Sequence, residues 1–229
     1  MRRVDRAEIL DSDACSAAEV QAALSVIGQV NRRFGGVSTS QKLVEEAARS
    51  SGVTRLSMLE VAAASGEVPE IVRKNIAQNG ITLDVTLLDI ARSHLPRGNH
   101  SIVANALHLP FSDGSFDLVS CNLFAHHLTP EQLRQFVNEG LRVCRRAMLI
   151  NDLVRHPVHL ALVYASFPIM RSRVAWLDGL TSVRRAYTPE EIRKILGNRS
   201  SPASAKPQIF RHRLFRMGVT IWKSATAAC

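Results

Sequence analysis

Aromatic side chains are scarce in this sequence, with 8 Phe, 2 Tyr and 2 Trp among 229 residues. A surface that stacks nucleobases interleaves such rings with basic residues, so nucleic acid is not the expected partner. Cysteine is sparse too. Cys15, Cys121, Cys144 and Cys229 form no CxxC pair and no metal-like spacing with histidine, which argues for free thiols in a reducing, cytoplasmic setting. His156 and His159 lie three apart without a third ligand, so no metal is expected. Long apolar runs are missing as well. The longest, VHLALVYASFPIM (158–170), is too short to span a bilayer. The start, MRRVDRAEILDSD, is charged and has no apolar run behind its arginines, so no secretory signal is expected. Acidic residues thin out along the chain: residues 1–139 hold 13 basic and 16 acidic side chains, residues 140–229 hold 16 and 4. That asymmetry implies either a basic face for an anionic partner or a solvated arginine-rich surface.

What is present is an ordinary globular composition, 46% apolar and 21% charged, long enough for one substantial core. Helical spacing runs from Ser16 to Arg33. GGVSTS then breaks it, and a second helix is expected from Gln41 to Ser50 with Ser40 as its N-cap. Thereafter short β-rich runs (56–64, 83–90, 100–106, 116–124, 146–152) alternate with helical stretches (67–79, 130–143, 156–170). Strands alternating with helices predict a parallel sheet covered on both faces. QIFRHRLFRMGVTIWK (208–223) reads as two antiparallel strands closing the sheet edge. The expectation is a helical extension over residues 1–52 and one α/β domain over 53–229.

Three places carry possible chemistry. In LEVAAASGEVPEIVRKNI a strand ends on Glu60, passes through small residues and enters a helix at Gly66. Such a turn lets a ligand approach the backbone and the helix N-terminus, although it also serves plain strand–helix packing. Asp89 ends the next strand, where a carboxylate can accept both hydroxyls of a ribose or merely cap a turn. In ANALHLPFSDGSFDLV, Asn105 ends a strand, and its amide can meet an adenine edge.

In these residues the chain resembles the class I S-adenosylmethionine-dependent methyltransferases, within them the ubiquinone/menaquinone-biosynthesis-like group. NRRFGG, INDLVRHPVHLALVYASF and DGLTSVRRAYTPEEI look more narrowly like bacterial methyltransferases of polyketide or phenolic-lipid pathways. The resemblance implies a Rossmann-like fold: a mostly parallel seven-stranded sheet with an antiparallel C-terminal edge hairpin. It implies S-adenosylmethionine as cofactor, held by Glu60, Ala62, Ala64 and Gly66 on the acidic-Gly-x-Gly-x-Gly motif. Asp89 falls on the ribose acid, Asn105 and Ala106 beside the adenine, and Asn122 and Leu123 at the fourth strand tip. The pattern departs from the family where alanine replaces glycine at Ala62 and Ala64 and where Asn105 replaces aspartate. The sixteen positions from Asp89 to Asn105 also leave room for only a turn around Ala91–Leu95.

Transfer from a sulfonium to a hydroxyl or activated carbon is aided by a base. His126 is the candidate, with His127 behind it, and Asp152 is either a second base or the cap of the helix that follows. Residues 156–170 read as an apolar lid or a buried helix. A small aromatic, quinone-like or polyketide substrate is expected. The alternatives are a nucleic-acid (RNA) methyltransferase, disfavoured because CNLF lacks the proline-bearing tip of base methylators, and a non-catalytic binding protein that kept the fold. The oligomeric state is not legible.

Overall fold

The computed structural model describes residues 1–11, 15–96, 98, 100–170, 172–197, 206–212 and 214–224. Five strands come first, with helices between β1 and β2 and between β4 and β5: β1 (Arg55–Val61), β2 (Thr82–Asp89), β3 (Ser101–Val103), β4 (Phe116–Asn122) and β5 (Cys144–Leu153). Two more follow at the end, β6 (Gln208–His212) and β7 (Arg216–Trp222). They form one sheet in the order β3-β2-β1-β4-β5-β7-β6. β1 to β5 pair in parallel, whereas β7 runs antiparallel between β5 and β6. This is the Rossmann-like methyltransferase architecture, with its antiparallel hairpin at the edge.

The sheet is buried on both faces because its strands alternate between two cores. Leu59, Val119, Met148 and Ile150 pack with α4 (Pro130–Val143) and α7 (Pro189–Gly197) through Phe136, Val137 and Ile192. Met58, Leu118 and Leu149 pack on the other face with α2 (Gly36–Ser51) and α3 (Glu67–Ala77) through Leu43, Val44 and Val72. Period-two alternation therefore feeds both layers from the same strand. Phe136 is fully buried, and truncating such a ring to alanine costs about 3–5 kcal/mol.

The helices begin where their caps dictate. Thr129 and Gln132 form a capping box with Pro130 in the first turn, and α4 spans the expected 130–143. Ser16 and Glu19 do the same for α1 (Ala17–Arg33). The second helix differs from expectation. α2 starts at Gly36, not Gln41, since the break is confined to Phe34 and Gly35, the latter left-handed at φ 84°. Ser40 is thus inside the helix and caps nothing at its start. Because α2 lies in the core, the expected 1–52 extension is in part a layer of the domain itself.

Among the described residues between Asp89 and β3 there is a turn, closed by His94 N donating to Ala91 O at 3.1 Å, and no helix. The 156–170 segment divides into α5 (Pro157–Ala165) and a short 3-10 turn, Phe167–Ile169, with no buried residue in either. The buried-helix reading of this segment fails. The sequence reading assigned no helix to α6 (Arg173–Arg185), which packs against α5 and α1. No described helix is long and apolar enough to cross a membrane. Cys15, Cys121 and Cys144 are free thiols, and Cys229 lies outside the described residues.

Candidate functional site

The strand order reverses between β1 and β4, and a cavity of about 1610 Å³ opens beyond the strands' carboxyl ends at that point. Open α/β sheets bind ligands in this position. One end is built on the turn after β1. Ala62 (φ 54°) and Ala64 (φ 47°) are left-handed, and Gly66 (φ 69°) leads into α3. A side chain in this region costs roughly 1–2 kcal/mol per residue. Gly66 could not carry one cheaply, since a Cβ there would sit 2.5 Å from Leu87 Cδ1. Positions 62 and 64 face the cavity, so the methyl groups strain only their own backbone. Leu123 (φ 54°), Leu214 (φ 59°) and Phe215 (φ 59°) complete the non-glycine residues of this kind among the described ones, and all five line the cavity. Backbone strain of this sort collects at ligand sites.

Asp89 ends β2, buried, and its carboxylate fixes the turn: Oδ2 accepts from Ala64 N and Oδ1 from Ala91 N, both at 2.9 Å. Two further lone-pair positions stay open to a ligand. Glu60 lies one residue before the end of β1, fully buried at the cavity wall. Burial pushes its carboxyl up to about 7 against the lowering effect of hydrogen bonds from Asn122 and Ser120. Asn122 Nδ2 donates to Glu60 Oε1 at 2.5 Å, while Glu60 Oε2 has no partner among the described residues. Asn122 Oδ1 in turn accepts from Ser40 Oγ (2.5 Å) and Asn151 Nδ2 (2.7 Å). Ser40 therefore works from inside α2 as a brace for the β4 tip.

The other end is built around His126, in the 3-10 turn Ala125–His127 after β4. Asp152 Oδ1 holds its Nδ1 at 2.7 Å, and Asp152 Oδ2 accepts from its backbone N at 2.9 Å. Nε2 makes no hydrogen bond among the described residues, and Glu8 Oε1 stands 3.3 Å from it. Burial alone would depress this imidazole. The charge and hydrogen bond of Asp152, then the adjacent Glu8 carboxylate, overcome burial and raise the ring to about 9. Glu8 and Asp152 answer in kind: burial would raise both carboxyls, and the pairing with His126 holds each below its ordinary value. His127 Nε2 stands 3.7 Å from Glu8 Oε1, and its Nδ1 3.0 Å from Asp11 Oδ1.

Glu8 and Asp11 reach this place on the N-terminal strap, residues 1–11. Arg3 anchors the strap by donating to the carbonyls of His126, Leu128 and Arg185. Ile9 N and Leu10 N donate to the Asp178 carboxylate of α6. Arg216, which pairs with Leu153 next to Asp152 and lines the cavity, is fully buried. It donates to Asn31 Oδ1 at 2.7 Å, and its Nη1 has no partner among the described residues. Burial pulls it down to about 10, partly offset by Asp152. Leu162, Val163, Ile169 and Met170 add an apolar wall from α5 and the turn beyond it.

Of the residues singled out from sequence, Glu60, Ala62, Ala64, Asp89, Asn122, Leu123 and His126 line the cavity, and His127 joins them. Gly66, Asn105, Ala106 and Asp152 do not. Gly66 lies beneath the turn. Asn105 is exposed two residues beyond β3, its Oδ1 accepting from Leu107 N at 2.9 Å. This is an Asx turn, and it spends the amide oxygen locally. Asp152 reaches the cavity only through His126, and the cap of α5 is His156, whose side chain accepts from Val158 N. Sequence reasoning missed Glu8, Asp11 and Arg216. No local motif marks them, because Glu8 and Asp11 meet the histidines, and Arg216 meets Asn31, across more than 100 residues of chain.

Residues 59–148 match the methyltransferase domain family. No curated protein sequence matches the chain. Among solved structures, the plantazolicin methyltransferase BpumL in complex with S-adenosylhomocysteine (SAH) superposes with a TM-score of 0.64 at 13% identity, over 91% of this chain and 96% of that one. The magnesium protoporphyrin IX methyltransferase ChlM from Synechocystis PCC 6803 with bound SAH gives 0.54 at 15% identity, over 86% and 87%. A SAM-dependent methyltransferase from Aquifex aeolicus gives 0.52 at 12% identity, over 78% and 88%. At such identities the likeness establishes the fold, and the site must speak through its own residues.

Proposed function

We propose that this chain is an S-adenosylmethionine-dependent methyltransferase acting on a small molecule held in the 1610 Å³ cavity. The observation that carries this reading is the turn after β1. It keeps left-handed backbone at Ala62, Ala64 and Gly66 even where alanine makes that conformation costly. A turn needed only for packing has no reason to retain the strain. The residues also fit the cofactor: Glu60 Oε2 is a buried acceptor with no hydrogen-bond partner among the described residues, suited to an ammonium or hydroxyl donor, and Asp89 stands at the next strand end. The matched methyltransferase domain family and the SAH-bound relatives support the same reading.

The bound cofactor supplies a methyl group made electrophilic by its sulfonium. The protein's task is to align an acceptor with it in a water-poor space. Ala62, Ala64, Asp89 and Glu60 would hold the cofactor, the two carboxylates meeting its polar groups. Leu123 and the α5 wall exclude water on the acceptor side. His126 is the catalytic residue proposed here, and Asp152 its positioning residue through Nδ1. Raised to about 9, the ring already carries a proton at neutral pH. Activity that uses it as a base therefore rises with pH towards 9. The apolar wall favours an aromatic, quinone-like or polyketide acceptor, and Arg216 gives that acceptor's acidic group a buried cation to meet. The free thiols suit a reducing, cytosolic setting.

Calorimetric titration with S-adenosylmethionine and SAH is the test. Micromolar to submillimolar binding at one site per chain is expected. Absence of binding at millimolar cofactor would overturn the reading.

A further inference from the structure

We propose that Glu8, His126 and His127 form a binding site for one divalent cation of the zinc class, opening on the same cavity. Glu8 Oε1 lies 3.3 Å from His126 Nε2 and 3.7 Å from His127 Nε2, and the three ligand atoms all lie within 4.8 Å of one another. Zinc–nitrogen bonds of about 2.0–2.1 Å in a tetrahedron put ligand atoms about 3.3 Å apart, so side-chain rotations bring these three into place and leave a fourth position open.

The groups behind the ligands make the stronger case. A metal-bound imidazole usually gives its other ring N–H to a carboxylate, which fixes its tautomer and strengthens its donor nitrogen. Both histidines have this arrangement. Asp152 holds Nδ1 of His126 at 2.7 Å, and Asp11 stands 3.0 Å from Nδ1 of His127. Each ring is thereby left to present Nε2, and the two Nε2 atoms turn towards one carboxylate oxygen. His126 Nε2 is buried and makes no hydrogen bond among the described residues. An unsatisfied buried nitrogen is costly for a purely structural histidine.

Charge points the same way. Glu8, Asp11 and Asp152 bring three negative charges, and Arg185, paired with Asp11, returns one. Arg216, which Asp152 also faces, returns another, so with both rings neutral the cluster keeps a net negative charge for a cation to offset. Two nitrogens and one carboxylate suit a borderline metal better than magnesium or calcium, which prefer oxygen. All three ligands line the cavity, so the remaining position faces the ligand space and would take a hydroxyl or carboxylate oxygen; with the ion bound, His126 serves as a ligand, and its role as a base belongs to the metal-free chain.

The test uses the full chain, freed of metal by chelation and titrated with zinc chloride by calorimetry and with cobalt chloride by visible absorption. One equivalent of zinc is expected to bind with release of protons. Cobalt should give the intense visible bands of a low-coordinate site. His127→Gln, at a half-buried position that should leave the fold intact, and Glu8→Gln are expected to weaken zinc at least tenfold. Asp152→Asn should weaken it 10–100-fold. Zinc should raise the Tm of the unmodified chain and not that of His127→Gln. Zinc that binds below one equivalent, or binds His127→Gln and Glu8→Gln as it binds the unmodified chain, overturns the proposal. The unmodified chain's cobalt spectrum decides alone if a variant misfolds. SAH titration of the metal-free chain reports on the methyltransferase reading separately.

Discussion

The two ends of the cavity are built in opposite ways. The cofactor end comes from neighbouring strands: Glu60, Ala62 and Ala64 follow one another, and Asp89 stands beside them through the β1–β2 register, where Val61 pairs with Leu88. The acceptor end is gathered from far apart, with Glu8 and Asp11 near the start, His126 in the middle and Arg185 and Arg216 late. One end is a backbone device in which side chains are small. The other is a charge device in which the backbone is incidental. Function placed on backbone shape tolerates the loss of glycine provided φ is kept. Function placed on paired charges depends on every partner.

The largest effect that can break this contrast comes from exchanging single residues. Asp89→Ala frees Ala64 N and Ala91 N together, and is expected to lower SAH affinity at least about 100-fold by calorimetry. His126→Ala should leave that affinity within about threefold while abolishing turnover. Equal losses would mean that the two ends are not separable.

A second contrast lies in pH. The His126 ring, raised from 6.5 to about 9, contributes stability that is complete below about 6.5 and is lost as pH rises through 9. Tm should therefore fall over that window, and Asp152→Asn should flatten the fall. A profile level from pH 6.5 to 9 in the unmodified chain would remove the charge device.

Glu60, pushed up to about 7, provides a smaller signal from the cofactor end. If its free oxygen meets the ammonium of SAH, binding near pH 7 should release up to one proton, half or so at the midpoint. Titrations in two buffers of different ionisation enthalpy would read that release. The smallest effect is the backbone's own. Ala64→Gly should stabilise the chain by roughly 0.5–1 kcal/mol by relieving the left-handed strain, net of the entropy glycine adds to the unfolded state. Destabilisation on denaturant unfolding would show that the alanine methyl is packed to purpose.

How much of this could be read beforehand follows the same division. The sheet was legible because short, β-rich apolar runs mark β1, β4 and β5 and helical or turn segments separate them. α4 was legible to the residue because Thr129, Pro130 and Gln132 encode its start chemically. The start of α2 was not, because GGVSTS looks like a breaker. Only Gly35 breaks anything, and Gly36 lies against Asn31, where even a Cβ would meet the side chain at 2.5 Å. Asp89 and the first turn were visible as candidates since they lie within one motif. Asn105 misled because an Asx turn and an adenine contact ask for the same residue at the same kind of strand end. Glu8 was invisible: an acid in a charged N-terminal stretch carries no sign of a partner near residue 126.

The strap also sets an order in time. The chain leaves the ribosome from its N-terminus, and β1 to β5 are complete once Leu153 has emerged, so a cofactor-shaped edge can form early. Glu8 must then wait, since Asp178 and Ser182 of α6, which seat the strap, are made about 170 residues after it. Long-range closures of this kind are slow relative to local ones. The strap, made before the strands and helices that receive it, is thus the last to find its place, and the nascent chain holds the floor of its pocket before it has a back wall.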